Sequence, residues 1–143
     1  MISEKEGLPL LLCTTPANVP DQTPFVDMLD SMPPVRMSVG RPRYKPGAAM
    51  GDAAYGTAAV IAEVVQRRIQ PLLAARNRKE HGSGLGKVRF VIERTMSWLG
   101  NYRRLKLCYE RTGEHWQAMN ELAACLICAN RIQTLRSQGK IAA

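Results

Sequence analysis

Asp52 and Glu93 are the residues of this sequence best suited to chemistry. Asp52 closes a short run of small residues, 48–52 (AAMGD), that reads as a strand. Ligand crevices of open α/β sheets form beyond the carboxyl ends of such strands. Glu93 falls inside an amphipathic stretch, off the centre of its apolar stripe, with Arg89 one helical turn earlier. A carboxylate from a strand end and one from a helix packed over it can converge on a divalent cation, and magnesium takes a few carboxylates together with waters and substrate phosphates. Two such ions activate the attacking oxygen and stabilise the leaving one in phosphodiester cleavage. The plainer alternative is a surface pair between Arg89 and Glu93, worth roughly a few tenths of a kcal/mol. Its order, base before acid, is the less favourable one on a helix.

The elements that must position these groups can be read along the chain. Residues 8–14 (LPLLLCT) form a short apolar run, consistent with a buried strand. Residues 15–21 (TPANVPD) read as a loop. Thr23 offers an N-cap oxygen and Pro24 a first helical position for a short helix carrying Phe25, Met28 and Leu29, which Pro33 and Pro34 stop. Residues 34–46 hold Arg36, Arg41, Arg43 and Lys45 without periodicity, an exposed basic loop that is either phosphate-contacting or a solvated linker. After Asp52, residues 57–68 place Val60, Ile61, Val64 and Val65 at helical spacing. Residues 69–74 (IQPLLA) read as a strand near a sheet edge, because Pro71 cannot donate to a ladder. This order predicts a parallel strand pair with a right-handed crossover.

A second basic loop spans 75–87 and carries Arg76, Arg78 and Lys79 among three glycines whose spacing fits neither phosphate-binding glycine motif. Val88, Val91, Ile92, Thr95 and Leu99 then fall on one side of a helix. Residues 103–109 (RRLKLCY) partly alternate charged and apolar side chains, as a strand or an extended linker would. The longest predicted helix covers 114–135, with Trp116, Met119, Leu122, Ala123, Leu126 and Ile127 as its core face.

Composition bounds the partners. The 143 residues suffice for one domain, and a hydrophobic content of 45% can fill its core. Twenty Lys and Arg against twelve Asp and Glu leave a net charge of +8, which favours a polyanion, with nucleic acid ahead of an anionic membrane surface. No apolar run is long enough to span a bilayer, and two glutamates in residues 1–7 do not suit a signal peptide, so a cytoplasmic protein with reduced cysteines is expected. Cys125 and Cys128 form a C-x-x-C, but zinc needs two more ligands, and His81 and His115 have no paired spacing. Both thiols read as small buried residues of a helix face.

Several stretches, taken in order, resemble one family. Residues 15–21 look like the TPANVHD stretch of DDE-type transposases of bacterial insertion sequences, with Pro20 in place of histidine. Gly51-Asp52-Ala53-Ala54-Tyr55-Gly56 resembles the motif of their second aspartate, commonly ADKGYD. Arg89-Phe90-Val91-Ile92-Glu93-Arg94-Thr95, with Trp98 and Leu99, is similar to their glutamate motif, commonly RWVVERTxxWL. The run from Tyr102 through Arg103, Arg104 and Leu105 to Arg111 resembles FRRLRIRYER, and the helix that follows resembles the family's alanine-rich closing helix.

The resemblance implies an α/β fold of the ribonuclease-H-like type, truncated to a few-stranded sheet with packed helices, and makes residues 1–143 the C-terminal part of a catalytic domain. It implies magnesium held by Asp52 and Glu93, with Arg89 positioning Glu93 or a DNA phosphate, and Tyr55 a packing residue. The family hydrolyses the ends of an element's DNA and joins the freed 3′-hydroxyl to a target phosphodiester. Its first aspartate is expected on a strand ahead of Leu8, outside this sequence together with the DNA-binding region. Asp21, Asp27 and Asp30, in a predicted loop and helix, do not replace it. Ala54 and Gly56 stand where the family has glycine and an acidic residue. The resulting expectation is a transposase fragment inactive alone, with element ends and target DNA as partners and Arg41, Arg43, Arg76, Arg78, Lys79, Arg89, Arg103 and Arg104 on phosphates. An upstream transposase fragment, made separately, would supply the missing aspartate, and an intact transposase is the partner that a regulatory fragment would inhibit. The rival is a non-catalytic DNA-binding or regulatory fragment that uses Arg36, Arg41, Arg43, Arg76, Arg78, Lys79, Arg103 and Arg104 on phosphates.

Overall fold

The computed structural model describes residues 1–36, 39–73 and 86–141, with only the backbone described for 86–89. The chain divides into two compact units, one of Met1–Thr14 with Val91–Ala143 and one of Thr15–Phe90.

In the unit of Met1–Thr14 and Val91–Ala143, strand β1 (Ile2–Ser3) pairs antiparallel with β2 (Pro9–Leu11). The turn between them is closed by Glu4, whose carboxylate accepts from the amides of Glu6 at 2.7 Å and Leu8 at 2.9 Å. Helix α3 (Gly86–Gly100) enters this unit at Val91, and α4 (Arg103–Lys106) and α5 (Gly113–Ser137) follow. Leu99, Ala123 and Ile127 are buried at the centre, ringed by Met1, Leu8, Leu12, Trp98, Tyr102 and Leu105. Gln117 ties α5 to the segment after β2. Its amide oxygen accepts from Thr14 N and Oγ1 at 2.8 and 2.9 Å, and its Nε2 donates to Leu12 O at 2.9 Å.

In the unit of Thr15–Phe90, α1 (Phe25–Asp30) precedes β3 (Ala48–Gly51), α2 (Ala58–Gln66) and β4 (Gln70–Leu73). β3 and β4 pair in parallel, Ala48 opposite Gln70 and Gly51 opposite Leu73, as the strand, helix, strand order predicts. Met28, Leu29, Ala49, Val60, Val64 and Ile69 are buried here. Thr57 caps α2 by accepting from Val60 N at 3.3 Å. The helix ends in a Schellman arrangement in which Arg68 takes φ of 59° and Ile69 N reaches Val64 O at 3.1 Å. Arg67 bridges Asp30 at 2.7 Å and Glu63 at 2.6 Å, and the hydrogen bond it donates, with its charge as a smaller cause, lowers the pKa of the Asp30 carboxyl.

Several sequence expectations need correction. In place of one few-stranded sheet, the described residues form two separate two-stranded sheets. Residues 103–106 are a short helix rather than a strand, because Arg, Leu and Lys are all good helix formers and four alternating residues cannot fix a period of two. Thr23 does not cap α1; Pro24 occupies that place and no side chain caps the helix. On α5, Leu122 and Leu126 are 53% and 44% exposed, since Ala123 and Ile127 carry the buried stripe. Cys125 is exposed and Cys128 half-buried, so they are not a buried pair; partial burial raises the pKa of the Cys128 thiol. Residues 75–85 of the second basic loop, with Arg76, Arg78 and Lys79, lie outside the described residues, and 86 and 87 belong to α3. Among those described, no helix is long and apolar enough to cross a membrane.

Candidate active-site carboxylates

Asp52 directly follows the last residue of β3, at the carboxyl end of a parallel strand. Its side chain is exposed yet not free to wander: Oδ1 accepts from Ala54 N at 2.9 Å and caps the 3₁₀ turn Ala53–Tyr55. One bond leaves most of the acceptor capacity of a carboxylate unused. Gly51 permits the tight exit from the strand, because a Cβ there would sit 3.0 Å from Leu73 Cδ2 and 3.3 Å from Tyr55 Cδ2. Tyr55 packs on Phe25 with ring centroids 5.0 Å apart. Burial raises its pKa, as do the nearby charges of Asp21 and Asp52, so the phenol stays protonated beside the carboxylate. Ala54 is outside the positive-φ region, which explains why a side chain is accommodated there.

Glu93 is exposed on α3, and the two residues after it fasten the helix. Thr95 is fully buried; its hydroxyl lies 2.6 Å from Gly7 O and 3.0 Å from Val91 O, a single proton serving both. The Arg94 guanidinium donates to Glu6 O and lies over the Trp98 ring, 5.3 Å from its centroid. Gly7 has φ of +91°, and a Cβ on it would meet Thr95 Oγ1 at 3.0 Å and Arg94 Nη2 at 3.1 Å. The turn between β1 and β2 is thus clasped by Arg94 and Thr95, fixing the helical turn that carries Glu93. Sequence periodicity had placed Thr95 on the apolar face but missed this clasp, whose partners stand 88 residues apart.

Asp52 and Glu93 belong to different compact units. Arg41 and Arg43 are exposed in a loop pinned by the antiparallel bridge of Val35 with Arg43. Arg103 and Arg104 are both exposed on α4, and Arg104 bridges Glu110 at 2.6 Å. The side chain of Arg89 lies outside those described. Carboxylate oxygens are the donors magnesium takes. Among the described residues, no three His, Cys, Asp or Glu side chains come together as a metal site.

The profile of the family described as Transposase DDE domain matches residues 1–130. The chain belongs to this family. This DDE-domain chain is also 38% identical, over 133 residues, to a protein of Burkholderia cepacia assigned as transposase for insertion sequence element IS402. The match covers 93% of the chain and 63% of that relative, so the chain spans less than two thirds of the relative's length. No solved structure matches it. Asp52 follows the end of β3 and Glu93 lies on α3, the strand end and helix that their sequence context predicts.

Proposed function

We propose that Asp52 and Glu93 are two metal-binding carboxylates of a ribonuclease-H-like transposase core, and that the chain by itself does not catalyse transposition. The observation that carries this reading is Asp52 at the carboxyl end of parallel strand β3, exposed and oriented by the Ala54 amide. Family membership supports the chemistry: hydrolysis of phosphodiesters at element ends and joining of the freed hydroxyl to target DNA. Magnesium, when bound, would activate the attacking oxygen and stabilise the leaving one. The chain's own part is to hold two oxygen donors on rigid supports, the capped turn after β3 and the clasped turn of α3. Two carboxylates alone hold such ions weakly, which supports inactivity of the isolated chain. The remaining donor would come from an upstream transposase fragment.

Manganese in place of magnesium tests the shared site by paramagnetic broadening of amide signals. Both the Asp52 and the Glu93 regions should broaden in one titration, and Asp52→Asn should remove the broadening at Glu93. Broadening at one region only, or its persistence in the variant, would refute a common cation. Strand-transfer product from the isolated chain with magnesium would overturn the inactivity.

The exposed arginines also support a second reading, a non-catalytic DNA-binding or regulatory fragment. Arg36, Arg41, Arg43 and Arg103 are exposed on the described surface. Duplex affinity should fall as salt rises, and Arg103→Ala should reduce the slope of log affinity against log salt by about one. A slope unchanged by the substitution would remove Arg103 from the phosphate contacts. DNA binding accompanied by no metal broadening at either carboxylate would favour the second reading over the first.

A further inference from the structure

α5 is apolar on two sides. Its buried stripe, Ala123 and Ile127, packs in the core of its unit. On the other side lie Ala118, Leu122, Cys125, Ala129, Ile132 and Arg136, all exposed, with Leu122 at 53% and Ile132 at 44%. Their spacing alternates between four and three residues, the pattern that keeps a seam on one helical face and lets it pack against another helix. The seam runs for about 27 Å at the helical rise per residue. Among the described residues, the core of this unit uses the opposite stripe. Leu122 also stands at the lip of a recess of about 210 Å³ lined by Tyr102, Leu105, Met119 and Leu126, which extends the apolar surface along one flank.

We propose that this seam is a self-association surface on which α5 pairs antiparallel with α5 of a second copy. Charge selects both the partner and the direction. Glu114 and Glu121 lie beside the seam in the first half of α5, whereas Arg136 and Lys140 lie at its far end. A parallel pair would set acid beside acid and base beside base. An antiparallel pair sets Arg136 over the partner's Ala118, where a methyl leaves room, and between the partner's Glu114 and the partner's Glu121. The same register places Leu122 against the partner's Ile132 and Cys125 against the partner's Ala129. It also opposes the two helix dipoles. Glu121 accepts one hydrogen bond from Gln117 Nε2, at 2.7 Å, and a carboxylate has capacity for more. With two alanines in the seam, the contact belongs to the small, reversible class of interfaces. It does not depend on the roles of Asp52 and Glu93.

Sedimentation equilibrium of the full chain, without metal or DNA, tests the proposal. The weight-average mass should rise from one copy toward two between about 1 µM and about 1 mM, the range of weak association. The double substitution Leu122→Lys and Ile132→Lys should leave a monomer across that range while the circular dichroism spectrum is unchanged, since both side chains are exposed. Arg136→Glu should weaken association tenfold or more, and adding Glu114→Arg and Glu121→Arg to it should restore most of the loss. Alkylation of Cys125 should slow as concentration rises. A chain monomeric throughout overturns the proposal, as does a dimer indifferent to the lysine substitutions. Failure of the triple charge exchange to recover affinity lost by Arg136→Glu would overturn the antiparallel arrangement.

Discussion

Thr95→Val is expected to lower the stability of the unit of Met1–Thr14 and Val91–Ala143 by about 1–3 kcal/mol, the range for leaving a buried polar group without its partner. The side chain is fully buried and nearly isosteric with valine, so no cavity accompanies the change. What is lost is the hydroxyl that lies 2.6 Å from Gly7 O. Gly7→Ala attacks the same clasp from the other side. It forces a left-handed backbone on alanine, at a cost of order 1–3 kcal/mol, and drives a Cβ to 3.0 Å from Thr95 Oγ1. Because the two residues share a contact, their effects should not add. In a Thr95→Ala background the clash with the hydroxyl is gone, so Gly7→Ala should cost less there than in the parent chain. Both tryptophans, Trp98 and Trp116, belong to this unit, so their fluorescence in a urea titration reports on it without the other. A midpoint unmoved by Thr95→Val would show that the Gly7 carbonyl finds another donor and that the clasp does not hold α3.

How far the sequence reveals the molecule depends on the range of the interaction. β3, α2 and β4 are legible because each is specified locally. A small-residue run ends in Asp52, Thr57 caps the next helix, and Val60 and Val64 recur on one face. The parallel pairing follows, since two strands joined through a helix have few other ways to meet. Asp52 is legible as a candidate site residue for the same reason. The stop of α2 is not, because its left-handed position carries Arg68 rather than the glycine that usually signals it. Nor is the clasp of Arg94 and Thr95 on Glu6 and Gly7: a glycine in a turn and a threonine on a helix face leave no local trace of their pairing. The amphipathic reading of α5 fails in part because a periodic stripe shows that a face is apolar without showing what covers it. Leu122 and Leu126 fit the helical period as well as Ala123 and Ile127 do, yet only the latter two are buried.

Joined to the part of the Burkholderia cepacia relative that it does not match, the chain should support magnesium-dependent strand transfer, and there Asp52→Asn or Glu93→Gln should abolish it. The magnitude follows from how metal sites respond to damage. Removing a residue that merely orients a ligand costs about 10–100-fold, so removing a ligand itself should cost at least about a hundredfold. Each amide variant keeps the size of its side chain and loses the charge proposed to hold the cation. Asp52→Asn also keeps an oxygen to accept from Ala54 N, so the turn after β3 should persist and the loss should appear without unfolding. Asp27 and Asp30 are the controls. Asp30 is committed to Arg67 through a bridge of 2.7 Å, and Asp27 lies beside it on α1. Neither amide variant should lower product more than a few-fold. Equal losses from Asp27→Asn and Asp52→Asn would mean that product tracks acidic charge in general rather than a cation held at the end of β3. Activity retained in Glu93→Gln would separate the helix carboxylate from the reaction and leave α3 a structural element alone.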